Sequence, residues 1–179
     1  ENAFSGLWKS ALEMHFRQFI SDKSDTLSGK LIISEKNAGT TNISPSLSPD
    51  GKYLAFFSEK NIFTLDLFLA DAITGKIIKR LSSTVRNNEI DDFNFIESAG
   101  TWSPDSKKFA FVVFSKGKNK LAIVDVAKAR IIKKISINGV PSFSNPAWSP
   151  DGKKIVVAGL VDGINDLYMY YLESGRVEK

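Results

Sequence analysis

Ser48-Pro49-Asp50-Gly51-Lys52-Tyr53-Leu54-Ala55-Phe56-Phe57 decides the fold, because it is written three times in 179 residues. The turn recurs as Ser103-Pro104-Asp105-Ser106 and as Ser149-Pro150-Asp151-Gly152, preceded by Leu47, Trp102 and Trp148. Each copy runs on through lysine into an apolar stretch, Tyr53 to Phe57, Phe109 to Phe114 and Ile155 to Ala158. A second apolar stretch follows in each, Leu67 to Ala70, Leu121 to Val124 and Leu167 to Leu172. A short turn, such as Thr74-Gly75 or Ser174-Gly175, then leads into a basic-apolar run: Lys76 to Arg80, Arg130 to Lys134, Arg176 to Lys179.

The spacing is regular. Asp105 to Asp151 is 46 residues, and so is Arg130 to Arg176. Asp50 to Asp105 is 55, the excess lying in one insertion between Leu81 and Trp102. Ser28-Gly29-Lys30-Leu31-Ile32 repeats the Thr74-Gly75-Lys76-Ile77-Ile78 pattern 46 residues earlier, as the trace of a further unit. Four short strands per unit of this length is the arithmetic of β-propeller blades. The expected fold is therefore all-β: about three four-stranded antiparallel blades, an incomplete ring, with one N-terminal helix. The boundaries follow: a helical segment at 1–26, then blades at 27–179, repeating over about 43–81, 97–135 and 144–179, with an outer strand at 28–35. The middle two strands of each blade are almost continuously apolar, which suits sheets covered on both faces. The basic run is the outer strand, and charged outer edges resist edge-to-edge aggregation.

The turn has a local explanation. Proline presets φ, aspartate bonds its own backbone, and glycine takes a left-handed position. Ser48, Pro49, Asp50, Ser103, Pro104, Asp105, Ser149, Pro150 and Asp151 are thus read as structural, against the sharper reading of an aspartate ring that binds cations. Ser106 stands where the other copies have glycine, so the middle turn is expected to be strained or of another type.

These residues resemble the PD40 repeat, the WD40-like motif of the TolB-like propellers, over roughly 28–179. The resemblance implies an exported, periplasmic bacterial protein that serves as an interaction platform. Similar blades also stand beside peptidase domains. The matched motif is scaffold, so the resemblance transfers no partner-binding residue.

Composition narrows the chemistry. Without cysteine there is no disulfide, thiol nucleophile or Cys-ligated zinc. No Gly-x-Ser-x-Gly elbow, His-Glu-x-x-His or phosphate loop is present. His15 is the sole histidine. It sits in the stretch Ser5 to Ser21, where Trp8, Ala11, Leu12, Phe16, Phe19 and Ile20 recur at helical spacing behind the N-cap candidate Ser5. No catalytic residue, cofactor or metal is expected. The net charge of +4 is spread along strand edges rather than gathered in an aromatic-lined stripe, so nucleic acid is not an expected partner. No apolar run spans a bilayer.

The insertion is the unusual segment. Glu89, Asp91, Asp92 and Glu97 reverse the charge of their surroundings, and Phe93 and Phe95 lie among them. Long loops on rigid scaffolds carry function. These six residues are the candidate partner surface; the plainer alternative has the two phenylalanines sealing the core or starting a strand. The chain opens with Glu1 and reads as an excised piece of a larger ring. Its first and last blade faces, with Tyr168 and Tyr170 on the last, are expected to be apolar and open to self-association. The leading functional reading is a non-catalytic protein-interaction module with an unidentified protein partner. The alternatives are an accessory propeller of a hydrolase, a peptidase, whose catalytic residues lie elsewhere, and a glycan- or peptide-binding propeller.

Overall fold

The computed structural model describes residues 6–12, 14–15, 30–61, 64–83, 92–93 and 99–179. The chain divides into two compact units, residues 1–31 and 32–179. In the first, residues 6–12 and 14–15 are helical and their side chains are exposed; the rest of the expected helix lies outside the described residues.

The second unit is three antiparallel blades. The first has β1 (Asn42–Leu47), β2 (Tyr53–Asn61), β3 (Thr64–Asp71) and β4 (Ile77–Ser82), paired in that order. In the second, β5 (Asp92–Phe93) and β6 (Thr101–Trp102) both pair with β7 (Lys108–Ser115), which is followed by β8 (Lys118–Asp125) and β9 (Arg130–Ile135). The third has β10 (Ser142–Trp148), β11 (Lys154–Val161), β12 (Ile164–Tyr171) and β13 (Val177–Glu178). The middle blade therefore starts earlier than the 97 read from the repeat, because the insertion itself supplies β5 as part of a split inner strand.

The inner strands of the outer blades carry proline, which cannot donate to a ladder and so sits at a bulge. Ser44-Pro45 and Asn145-Pro146 occupy equivalent positions, with φ of 53° at Ser44 and 50° at Asn145 and a register shift at each.

Blades pack face to face. Ala55, Phe57, Leu67 and Leu69 of the first meet Phe93, Trp102, Phe109 and Phe111 of the second. Phe57 and Phe111 centroids lie 6.4 Å apart, edge to face. Ala110, Val112, Leu121 and Ile123 of the second blade meet Phe143, Ile155, Val157, Tyr168 and Tyr170 of the third. Tyr168 and Tyr170 thus face inward, at 9% and 8% exposure, and not onto an open face as their position at the end of the run suggested. Strict alternation along β12 assigns the open face to Leu167, Met169 and Tyr171 instead.

The strand expected at 28–35 does not form over its described residues, 30–35. A strand needs a neighbour to bond, and none lies beside this one among the described residues. The backbone is met by a turn: the Asn37 and Ala38 N–H groups donate to the Ser34 carbonyl, and the Asn37 side chain donates to the Ile32 and Gly75 carbonyls. Ile33 and Ala38 from this segment cover Phe56, Phe68 and Ala70, so the outer face of the first blade is shielded rather than open. On that same face Arg80 donates to the fully buried Asp66 carboxylate at 2.8 Å, beside a 2.6 Å bond from Asn61.

Gly51 and Gly75 separate two effects, since both have φ near 71–72°. A Cβ at Gly51 meets open space, whereas one at Gly75 overlaps the Ile32 carbonyl. Gly51→Ala is expected to cost only the left-handed strain, about 1–2 kcal/mol. Gly75→Ala should add an overpacking cost of about 1–3 kcal/mol as it displaces the covering segment. Urea denaturation of the two variants checks the difference.

Candidate functional site

The three Ser-Pro-Asp turns are built alike. The Ser48, Ser103 and Ser149 hydroxyls donate to Asp50, Asp105 and Asp151 at 2.6 Å each. Each carboxylate also accepts the N–H two residues on, from Lys52, Lys107 or Lys153. Each serine oxygen accepts the N–H that opens the next strand, from Tyr53, Lys108 or Lys154, at 2.9 Å. The serine hydroxyl, followed by the backbone N–H, holds the Asp50 and Asp151 carboxyls below the ordinary carboxylate value; at Asp105 the serine bond is again the largest influence. These aspartates are occupied by their own turns. Among the described residues no three His, Cys, Asp or Glu side chains gather to hold a metal ion.

The middle turn keeps the same geometry at the cost of strain. Ser106 adopts φ 57° where Gly51 and Gly152 adopt 72° and 73°. Its hydroxyl is buried and accepts the Asp50 N–H of the preceding blade at 3.2 Å, a contact glycine lacks. The neighbouring Trp102 indole reaches the Ser46 carbonyl of that blade at 3.0 Å. The turns therefore join blades as well as strands.

The insertion is placed in part. Glu89, Asp91, Phe95 and Glu97 lie outside the described residues. Asp92 and Phe93 pair with Phe114 and Val113 on β7. Phe93 is 3% exposed, with its ring 5.4 Å from Phe57 and 5.9 Å from Phe111. It is a core residue, as the plainer reading had it, and it is not available as a surface anchor. The exposed aromatic at that end is Phe114, at 41%, directly opposite Asp92. In the sequence Phe114 is the last residue of an apolar stretch; in the structure it is exposed, one residue before β7 ends at Ser115.

Clefts repeat with the blades. At the Ser-Pro-Asp end, one of about 390 Å³ is lined by Tyr53, Ile78, Lys79 and Lys107, and its counterpart of about 360 Å³ by Ile132, Lys133, Trp148 and Lys153. At the opposite end, a cleft of about 470 Å³ lies among Lys118, Asn119, Asn138, Pro141 and Asp162. Asn119 is buried there, its amide donating to the Phe143 carbonyl of the next blade at 2.7 Å. In the first of these clefts Asp105 accepts from Ser103 and Ser106 accepts the Asp50 N–H, so both lining groups are engaged in the turns.

Face-packed antiparallel sheets that repeat with the same Ser-Pro-Asp turn, one spacing lengthened by an insertion, define β-propeller blades. The comparisons refine this. The chain is 25% identical over 167 residues, 87% of its length, to the Tol-Pal system protein TolB of Ruthia magnifica subsp. Calyptogena magnifica. It superposes on TolB from Acinetobacter baumannii with a TM-score of 0.66 at 21% identity, over 87% of this chain and 35% of that one. The blades are those of a TolB-like β-propeller fragment. An acylaminoacyl peptidase shares the fold at a TM-score of 0.52 and 22% identity, over 77% of this chain and 24% of that one. No family model matches the chain. The chain spans about two-fifths of the length of the curated relatives it matches. No described helix is long and apolar enough to cross a membrane.

Two outcomes follow from the turn and insertion geometry. Because Asp50, Asp105 and Asp151 titrate lower folded than unfolded, the folded state binds fewer protons near their unfolded value of 3.8. Their contribution to stability is present above that pH and is lost as pH falls through the folded values. Melting temperature is expected to drop between pH 5 and about 3, and Asp105→Asn should flatten that drop. Phe93→Ala is expected to cost about 3–5 kcal/mol in urea denaturation, as for other buried phenylalanines.

Proposed function

We propose that this chain is a non-catalytic protein-interaction module of an exported, periplasmic bacterial protein. The observation that carries the reading is the likeness to a Tol-Pal system protein over 87% of the chain. The structure supports it in a second way. The repeated serines and aspartates are engaged in turns, and the sole histidine lies on an exposed helical segment.

The surface proposed for the partner is the end opposite the Ser-Pro-Asp turns. There Phe114 stands exposed, opposite Asp92 in the strand pairing, and Glu89, Asp91 and Glu97 are the acidic neighbours of Asp92 in the sequence. Acids steer a basic partner over long range, and an aromatic holds it by apolar burial. Phe114 replaces Phe93 as that anchor. Phe95 keeps its candidate role in the same loop.

A second reading, an accessory propeller of a peptidase, draws on the fold shared with acylaminoacyl peptidase. In that case too the catalytic residues lie outside this chain, so isolated protein should show no esterase or peptidase turnover.

One experiment tests the main reading. The chain is used to capture protein from a native envelope fraction, beside Phe114→Ala and a variant with Glu89, Asp91 and Glu97 changed to Gln or Asn. A single specific partner should be retained by wild type and lost by both variants, with unchanged melting temperature. Binding should weaken as salt shortens the Debye length to about 8 Å. Equal retention by all three proteins removes this surface, and turnover that follows a residue of this chain removes the non-catalytic reading.

A further inference from the structure

We infer that the cleft between the second and third blades at the Ser-Pro-Asp end binds an acidic peptide segment, through an aromatic side chain stacked on Trp148. This cleft lies at the other end of the blades from the surface proposed above, and its occupancy is independent of that surface. The repeat builds the cleft twice. Ile78, Lys79 and Lys107 line the copy between the first and second blades, and Ile132, Lys133 and Lys153 stand at the same places in the copy between the second and third.

One position separates the two. Tyr53 follows Ser48 by five residues as Lys108 follows Ser103, and each backbone N–H donates to its serine oxygen at 2.9 Å. The Tyr53 ring stacks on Trp102 of the next blade, with centroids 6.4 Å apart and planes 19° apart, and Trp102 is 5% exposed. Lys108 brings no ring to Trp148, the counterpart of Trp102. Trp148 is accordingly only half-buried and lines the cleft, and among the described residues no ring or cation is stacked on it. The indole is nonetheless fixed in place. Its N–H donates to the Gly152 carbonyl at 3.1 Å, and the Trp148 backbone N–H donates to the Thr101 hydroxyl at 3.2 Å. A ring entering from outside takes the place that Tyr53 fills in the first cleft, and stacking of this kind adds to what burial alone supplies.

Charge selects what carries the ring. Two lysines and three aspartates, Asp50, Asp105 and Asp125, line the first cleft. Three lysines and a single acid, Glu173, line the second. Lys133 is spent on the Leu172 carbonyl, whereas the Lys108 and Lys153 ammonium groups have no partner among the described residues. Two unpaired cations beside a fixed aromatic platform match carboxylates that flank an aromatic residue, and complementary charge of this kind sets specificity and association rate.

The test titrates the blocked peptide acetyl-Glu-Phe-Asp-amide into the nitrogen-labelled full chain and reads the indole N–H resonances of Trp8, Trp102 and Trp148, the three tryptophans present. The Trp148 resonance should shift and saturate while the other two stay in place. Acetyl-Glu-Ala-Asp-amide, which lacks the ring, and acetyl-Gln-Phe-Asn-amide, which lacks the charge, should each bind at least about tenfold more weakly. Lys108→Tyr copies the first cleft: the introduced ring should cover Trp148 and abolish binding without lowering the melting temperature. Lys153→Gln leaves the indole uncovered and should weaken the acidic peptide by at least about threefold. A Trp148 resonance that does not move at up to about 10 mM peptide overturns the proposal. So does equal binding of the ring-free peptide, or wild-type affinity in folded Lys108→Tyr.

Discussion

Every blade in this protein is a thin sheet with two apolar faces, and a sheet of that kind is stable only when something covers both. The middle blade meets this condition in full. From Phe109 to Val113 five consecutive residues of β7 are buried, odd positions against the first blade and even positions against the third. Burying one such side chain is worth about 1.5–3 kcal/mol, so two packed faces outweigh the hydrogen-bonded turns that frame them. The aromatic cluster of Phe57, Phe93, Phe109, Phe111 and Trp102 sets the spacing of the first two blades. The same constraint explains why the turn at 32–38 lies on the first blade, and why Leu167 stands out on the third.

The polar groups hold the angle at which these faces meet. The Ser-Pro-Asp turns close strands within a blade, and through Ser106 and Trp102 they also bond to the blade before. Two outer-strand lysines, Lys79 and Lys133, cross the gap and bond backbone carbonyls of the next blade. The middle blade is conformationally the most loaded. Ser106 and Ala129 both take left-handed φ at places where the flanking repeats have glycine. Each recovers something by doing so, Ser106 a bond to Asp50 and Ala129 a packed methyl group.

The serine and aspartate of each Ser-Pro-Asp turn are bound to one another, and Lys79 and Lys133 are bound to the next blade. What varies between repeats is the connection at the other end, where the insertion departs and where Phe114 and Lys118 reach solvent. Binding placed there can change without disturbing the packed faces, which is how loops on a rigid scaffold commonly acquire function.

The sequence by itself determined the blade count, the strand order and the turn chemistry. These are local or periodic properties: a turn needs its own four residues, and a period survives variation within each copy. It also marked Ser106 as strained, because the demand for a left-handed residue is local. Only the tertiary structure decided which side of a strand meets which neighbour. Tyr168 and Tyr170 against Leu167 and Met169, or Phe93 against Phe114, differ by one step of register, and in a run apolar on both faces composition does not tell one step from the next. The fate of 30–35 was decided in the same way. Its pattern is that of an outer strand, but a strand exists only through the neighbour that bonds it, and no neighbour is written into the segment.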